Sequence, residues 1–178
     1  GKLINDCLNE VANDTPMHFQ WYAELIDKTF GKVSATDPSI TSLIVKEPIG
    51  VVAGVVPWNF PLMMAAWKAA PALAAGCSII IKPAQDTPLS ALRIAQIAKE
   101  AGIPDGVFSV LPGFGDVGEA LGRHNDIDAV SFTGSTEVGG LFMKYSGESN
   151  LKTIGLEMGG KSPFLVLEDA KINDTLID

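Results

Sequence analysis

The stretch EPIGVVAGVVPWNFPLMMAAWKAAPALAAGCSIIIK, residues 47–82, decides the fold. Between Glu47 and Lys82 its only charge is Lys68. A hydropathy window would mark such a run as a membrane helix. Pro48, Pro57, Pro61 and Pro71 interrupt it, together with Gly50, Gly54 and Gly76. Prolines at that density break a spanning helix into pieces. The run reads instead as two buried strands, 50–56 and 78–82, with a buried helix over 61–75 between them, all covered on both faces.

The pattern continues outward. Upstream, 4–30 is expected to be helical, with Leu8, Val11 and Ala12, then Phe19, Tyr22, Ala23 and Ile26, at helical spacing. Thr15-Pro16 reads as a cap and first-turn proline, and Gly31 as a stop. Residues 42–46 suggest a half-exposed strand. Downstream, 88–101 predicts an amphipathic helix capped by Asp86-Thr87-Pro88, with Leu89, Leu92, Ile94, Ile97 and Ala98 inward. Strands follow at 107–111 and 128–132, helices at 117–122 and 136–145, and two more strands at 153–157 and 164–167. Strands alternating with helices mean βαβ units. The expected fold is therefore α/β: a Rossmann-like open parallel sheet with helices on both faces and right-handed crossovers. Small ligands bind such sheets outside the carboxyl ends of the strands.

Composition narrows the partners. The 178 residues carry 21 Asp and Glu against 13 Lys and Arg, a net charge of −8. Binding to nucleic acid or an anionic membrane needs a basic surface, which this chain does not supply. Cys7, Cys77, His18 and His124 have no metal-ligand spacing and form no disulfide framework. No basic segment followed by an apolar core opens the chain, so a cytoplasmic location is expected. With Gly1 and not Met at the start, the chain is expected to begin partway along a longer protein.

The strand ends hold the chemistry. Gly113-Phe114-Gly115-Asp116-Val117-Gly118 is a Gly-x-Gly-x-x-Gly run between a strand and a helix, the setting of a dinucleotide loop. No acid ends the next strand to hold a ribose, so a plain glycine turn competes. Phe132-Thr133-Gly134-Ser135-Thr136-Glu137-Val138-Gly139 also joins strand to helix. Its backbone amides would favour a pyrophosphate; equally, Ser135 could simply cap the helix. Lys82 could reach a ribose or phosphate, or snorkel to solvent. Asn59 could donate to an oxyanion or make an Asx turn. Glu157, before Met158-Gly159-Gly160-Lys161, could act as a general base or pair with Lys161.

Taken in order, Pro57-Trp58-Asn59-Phe60-Pro61, Lys82-Pro83-Ala84, Pro112-Gly113-Phe114-Gly115, the 132–139 loop and Leu156-Glu157-Met158-Gly159-Gly160-Lys161-Ser162-Pro163 resemble the aldehyde dehydrogenase superfamily over nearly the whole chain. The run 2–33 and the wording of 147–150 resemble bacterial enzymes acting on amino-aldehydes. The resemblance implies oxidation of an aldehyde to a carboxylic acid with NAD or NADP, through a cysteine thiolate. It implies that Asn59 holds the oxyanion and that Glu157 is the general base for the water step. It places Val55, Val56, Pro57 and Trp58 along the cofactor's path, Lys82 and Gln85 at its ribose, and Gly115 and Gly118 beside the adenosine. Phe132, Thr133, Gly134, Ser135, Val138 and Gly139 form the implied pyrophosphate loop, with Gly159 close by. Leu62, Met63 and Trp67 could wall a substrate tunnel.

The resemblance also implies two domains: residues 1–157, NAD(P)-binding, and 158–178, the start of a catalytic domain. The family's nucleophilic cysteine lies some way beyond the Glu, and no Cys follows Glu157 here. Cys7 and Cys77 read as structural thiols. The family's oligomerisation hairpin is expected to be missing. The 178-residue chain alone is expected to bind dinucleotide without catalysing oxidation, while the parent enzyme is expected to be a homo-oligomer acting on a small aldehyde. A short-chain dehydrogenase is disfavoured, because Tyr22 and Tyr145 lack a Lys four residues on.

Overall fold

The computed structural model describes residues 2–170. Five strands form one parallel sheet: β3 (Val51–Val55), β4 (Ser78–Lys82), β5 (Phe108–Val110), β6 (Ala129–Gly134) and β7 (Thr153–Met158), in spatial order β5-β4-β3-β6-β7. The chain builds outward from β3 on one side, then returns to place β6 on the other. The strand order reverses between β3 and β6, and a crevice for ligands opens at such a switch point. The α/β expectation holds. Between the strands lie α3 (Pro61–Ala74), α4 (Leu89–Glu100), α5 (Gly115–Arg123) and α6 (Thr136–Gly147).

Register decides which helices cover which face. Gly54 pairs with Ile81 and with Ser131, and Thr133 with Glu157. Paired residues in a parallel sheet point the same way, and neighbours along a strand point oppositely. One face therefore carries Ile79, Ile81, Ser131, Thr133 and Glu157. Its apolar part packs on Met64, Ala65, Ala69 and Ala91 of α3 and α4. The other face carries Ala53, Val55, Val130 and Phe132, packed on Leu121 of α5 and Phe142 of α6. Each face is closed by its own apolar core, as expected from strands hydrophobic on both sides. No helix among the described residues is long and apolar enough to cross a membrane.

The amino-terminal helix differs from expectation in its middle. α1 (Ile4–Asn9) passes through a π-helical turn, Glu10–Asp14, into α2 (Thr15–Leu25). Thr15 is not a cap: its N–H reaches back to the Glu10 carbonyl inside a continuous helix. Pro16, which cannot donate back to the preceding turn, follows just after the π-helical segment.

A two-stranded antiparallel hairpin, β1 (Lys32–Asp37) with β2 (Ile40–Ile44), precedes the sheet. β2 begins two residues ahead of the strand expected at 42–46. In contrast, 164–167 forms no strand. Phe164 and Leu165 are exposed, and an apolar run becomes a strand only where a sheet edge receives it. Residues 171–178 of the expected second domain lie outside the described residues. Leu89 points outward, against expectation, and neither Asp86 nor any other side chain caps α4. Pro88, which has no side-chain acceptor, takes the N-cap position instead.

Candidate functional site

The carboxyl edge of the sheet brings together Asn59, Lys82, Ser135 and Glu157, because each stands at or just beyond the end of a parallel strand. It does not put them on one face. Glu157 faces α3. Lys82, paired in register with Val55, faces α5.

On the α3 face, the apolar helix presents one cation. Lys68 is only 8 % exposed and donates to Ser131 Oγ at 3.0 Å and Thr133 Oγ1 at 2.9 Å. A buried ammonium is tolerated only when its donors are met. Gly54 makes the room: a Cβ there would lie 2.7 Å from Ile81 Cδ1 and 3.3 Å from Lys68 Cβ. Burial pushes the Lys68 pKa down from 10.5 to about 8, and the Glu157 carboxylate pulls it partly back up. Glu157, exposed at the edge, thus lies in the field of the Lys68 ammonium. Lys68 had no role in the sequence reading beyond its solitary charge. That solitude was the available signal, since a lone charge among Ala65, Ala66, Ala69 and Ala70 must be partnered.

This burial has a testable sign. Between pH about 8 and 10.5 the unfolded chain holds a proton on Lys68 that the folded chain has released. Lys68's contribution to stability therefore rises with pH across that window. Lys68→Met is expected to remove that rise. Urea unfolding below and within the window checks it, and an unchanged slope in the variant would refute the burial of the charge.

On the α5 face, Lys82 does not snorkel. It is buried, and its ammonium donates to the Pro83 carbonyl at 3.0 Å. Burial pushes its pKa down while Asp116, in the first turn of α5, pulls it up. Two helix starts flank it. α5 begins at Gly115, beside which a Cβ would meet nothing within 4 Å. α6 begins after Ser135, whose Oγ accepts from Val138 N at 3.3 Å. Ser135 is therefore a cap as well as a loop residue. Gly139 lets α6 lie close on β7, since a Cβ would meet Met158 Sδ at 2.4 Å. Gly134 is equally tight, with Phe132 Cζ 2.6 Å from a Cβ. The first amides of both helices have no partner within their own helix and point toward the edge.

Several of the residues expected to contact a cofactor have side chains buried in the core. Val55 and Val56 are buried, one on each face, so only their backbone faces the crevice. Phe132 is likewise core. Gly118 is buried where α5 meets α6, with a Cβ position 3.8 Å from Phe142 Cζ. Trp58 stands exposed at the edge beside Pro57, and Gln85 lies exposed in the turn after Lys82. Gly159 is exposed just past β7. Cys77 is buried at the amino end of β4, away from this edge, and Cys7 lies in α1. Trp67 is half exposed against His18, ring centroids 5.3 Å apart.

Known proteins share this fold. The family model described as the aldehyde dehydrogenase family matches residues 1–177. Aminoacetaldehyde dehydrogenase of Pseudomonas aeruginosa is 53 % identical over 172 residues, covering 96 % of this chain and 35 % of that protein. The NADP/NAD-dependent aldehyde dehydrogenase PuuC of Escherichia coli is 52 % identical over 95 % of this chain and 34 % of its own length. The chain thus spans about a third of the curated relatives it matches. Among solved structures, gamma-glutamyl-gamma-aminobutyraldehyde dehydrogenase of Burkholderia cenocepacia superposes with a TM-score of 0.90 at 53 % identity, over 92 % of this chain and 33 % of that one. The indole-3-acetaldehyde dehydrogenase AldA of P. syringae, solved with NAD+ and IAA, reaches 0.89 at 52 % identity with the same two coverages.

Proposed function

Because the chain belongs to the aldehyde dehydrogenase family, we propose that it supplies the cofactor-binding surface, the oxyanion donor and the general base of an enzyme that oxidises an aldehyde to a carboxylic acid with NAD+ or NADP+. The observation that carries this reading is the division of the carboxyl edge. Lys82 and the starts of α5 and α6 lie on one face, and Glu157 with Lys68 on the other. A dinucleotide crossing the edge at the β3/β6 switch point would rest its phosphates on the first face. Its nicotinamide would then stand over the second.

The residues present fit that cofactor. The space beside Gly115 admits a ligand against the backbone, the amides opening α6 suit a pyrophosphate, and Lys82 offers further donors. When bound, the cofactor accepts the hydride. Asn59, exposed just beyond β3, would donate its side-chain amide to the oxyanion formed when a thiolate adds to the aldehyde. Glu157 would take the proton from the water that cleaves the resulting thioester, releasing the acid and the thiol. Lys68 would lend a positive field to this face while itself shedding charge near pH about 8. Neither Cys7 nor Cys77 stands at the edge, so the attacking thiolate would come from outside residues 1–178. Residues 1–157 would act as the NAD(P)-binding domain, with 158–178 leading into the catalytic one, in a cytoplasmic homo-oligomer. The likeness to aminoacetaldehyde and gamma-glutamyl-gamma-aminobutyraldehyde dehydrogenases supports an aldehyde with a nitrogen-bearing tail. Aldehyde-dependent NADH formation by the full-length protein, with none from the 178-residue chain alone, is the test. Formation by the isolated chain would relocate the nucleophile.

Cofactor choice would rest on the turn after Lys82. Gln85 offers an amide to a ribose but no charge to oppose a 2′-phosphate. Asp86, not engaged as a cap, supplies some repulsion from its exposed position. NAD+ and NADP+ are both expected to serve, with kcat/KM differing by no more than roughly tenfold, about 1–2 kcal/mol. Gln85→Glu is expected to sharpen the preference for NAD+. A wild-type ratio above about a thousandfold, unmoved by the substitution, would show that Gln85 does not face the ribose.

A further inference from the structure

α3 starts at the turn that carries Asn59, yet nothing local caps it. Phe60 occupies the N-cap position and has no acceptor to offer, and Pro61 has no N–H. The acceptor arrives from the π-helical turn, 52 residues upstream of Leu62. Glu10 Oε1 takes the N–H of Leu62 at 2.9 Å and that of Met63 at 2.8 Å. Its Oε2 pairs with the Lys2 ammonium, which in turn sits 3.5 Å from the centroid of the Phe60 ring. Glu10 is only 4 % exposed. The two amides it meets stand at the second and third positions of the helix, the ones a cap side chain normally satisfies. A negative charge also suits the positive end of a helix. The segment Asn59-Phe60-Pro61-Leu62-Met63 is thus held from both ends: β3 anchors its start, and Glu10 with Lys2 clamps its finish.

We propose that Glu10 is a positioning residue for Asn59, fixing the turn so that the Asn59 amide meets the developing oxyanion. This rests on the reading of Asn59 given above. Without Glu10, two half-buried amides lose their acceptor and the turn can shift, and small displacements of a catalytic group cost rate steeply. The π-helical turn then has a purpose: such bulges commonly mark functional sites, and this one carries the carboxylate at the start of α3.

The test is a double-mutant cycle in the full-length enzyme, read by the single-turnover rate of NADH formation. Glu10→Ala is expected to slow that rate about tenfold while leaving KM for NAD+ within about twofold. On an Asn59→Ala background the same substitution is expected to change the rate by less than about twofold, because the group it positions is already gone. Glu10→Gln keeps an acceptor oxygen and is expected to recover most of the loss. Lys2→Met, which spares the two amide bonds, is expected to cost less and to show the same silence on the Asn59→Ala background. It also runs the cycle if Glu10→Ala does not fold. Equal losses on both backgrounds would make Glu10 a structural staple only and overturn the inference. A wild-type enzyme that oxidises no aldehyde would overturn this inference and the reading of the site together, whereas equal losses in an active enzyme would overturn this one alone.

Discussion

Glu157→Gln in the full-length enzyme is expected to leave a burst of one NADH per site and to slow steady turnover by about 10²–10⁴-fold, the usual cost of removing a general base. The reason lies in the placement of Glu157. It stands at the end of β7, paired in register with Thr133, whose hydroxyl accepts from the Lys68 ammonium on the same face. Glutamine preserves the shape and the hydrogen bonds but cannot take a proton from water. Hydride transfer, which precedes the water step, is spared. Stopped-flow absorbance of NADH separates the two phases. Loss of the burst itself would place Glu157 earlier in the reaction, on the thiol.

Asn59→Ala is expected to do the opposite. Removing one oxyanion donor costs about 10²–10³-fold in rate, and here the loss falls on the burst, because the oxyanion forms before hydride leaves. The variant should fold, since Asn59 is exposed and outside both cores. An unchanged burst rate would mean that the Asn59 amide does not meet the substrate oxygen. The two substitutions together assign separate steps to residues that share one edge.

Much of this architecture is legible in residue order. The β-branched runs at 50–56 and 78–82 could only be buried strands, and they set β3 and β4 to within a residue or so. The strand-end rule points to Asn59, Lys82, Ser135 and Glu157 from residue order alone. The division of the edge into two faces was not legible, because it follows from register: Lys82 opposite Val55, Glu157 opposite Thr133. The role of Lys68 is not legible, because a lone charge in an apolar helix shows no partner until the strands fold beneath it. Glu10 reads in sequence as one more acid on an exposed helix. Its purpose appears only when α1 and its π-helical turn dock on α3. β1 is not legible either, because Lys32–Asp37 mixes polar and small residues and its strand character comes from pairing with β2. The run at 164–167 misled for the converse reason: it has strand-like residues and no edge to receive them.

Titration of the folded 178-residue chain with NAD+, followed by calorimetry, tests the central claim that this edge is a dinucleotide site. Binding at a single site is expected, weakened by Lys82→Ala and by filling the space beside Gly115 with Gly115→Val, and unaffected by Glu157→Gln. A chain whose circular dichroism shows the α/β fold but that binds no NAD+, or binds it equally well in the Lys82→Ala and Gly115→Val variants, would contradict it.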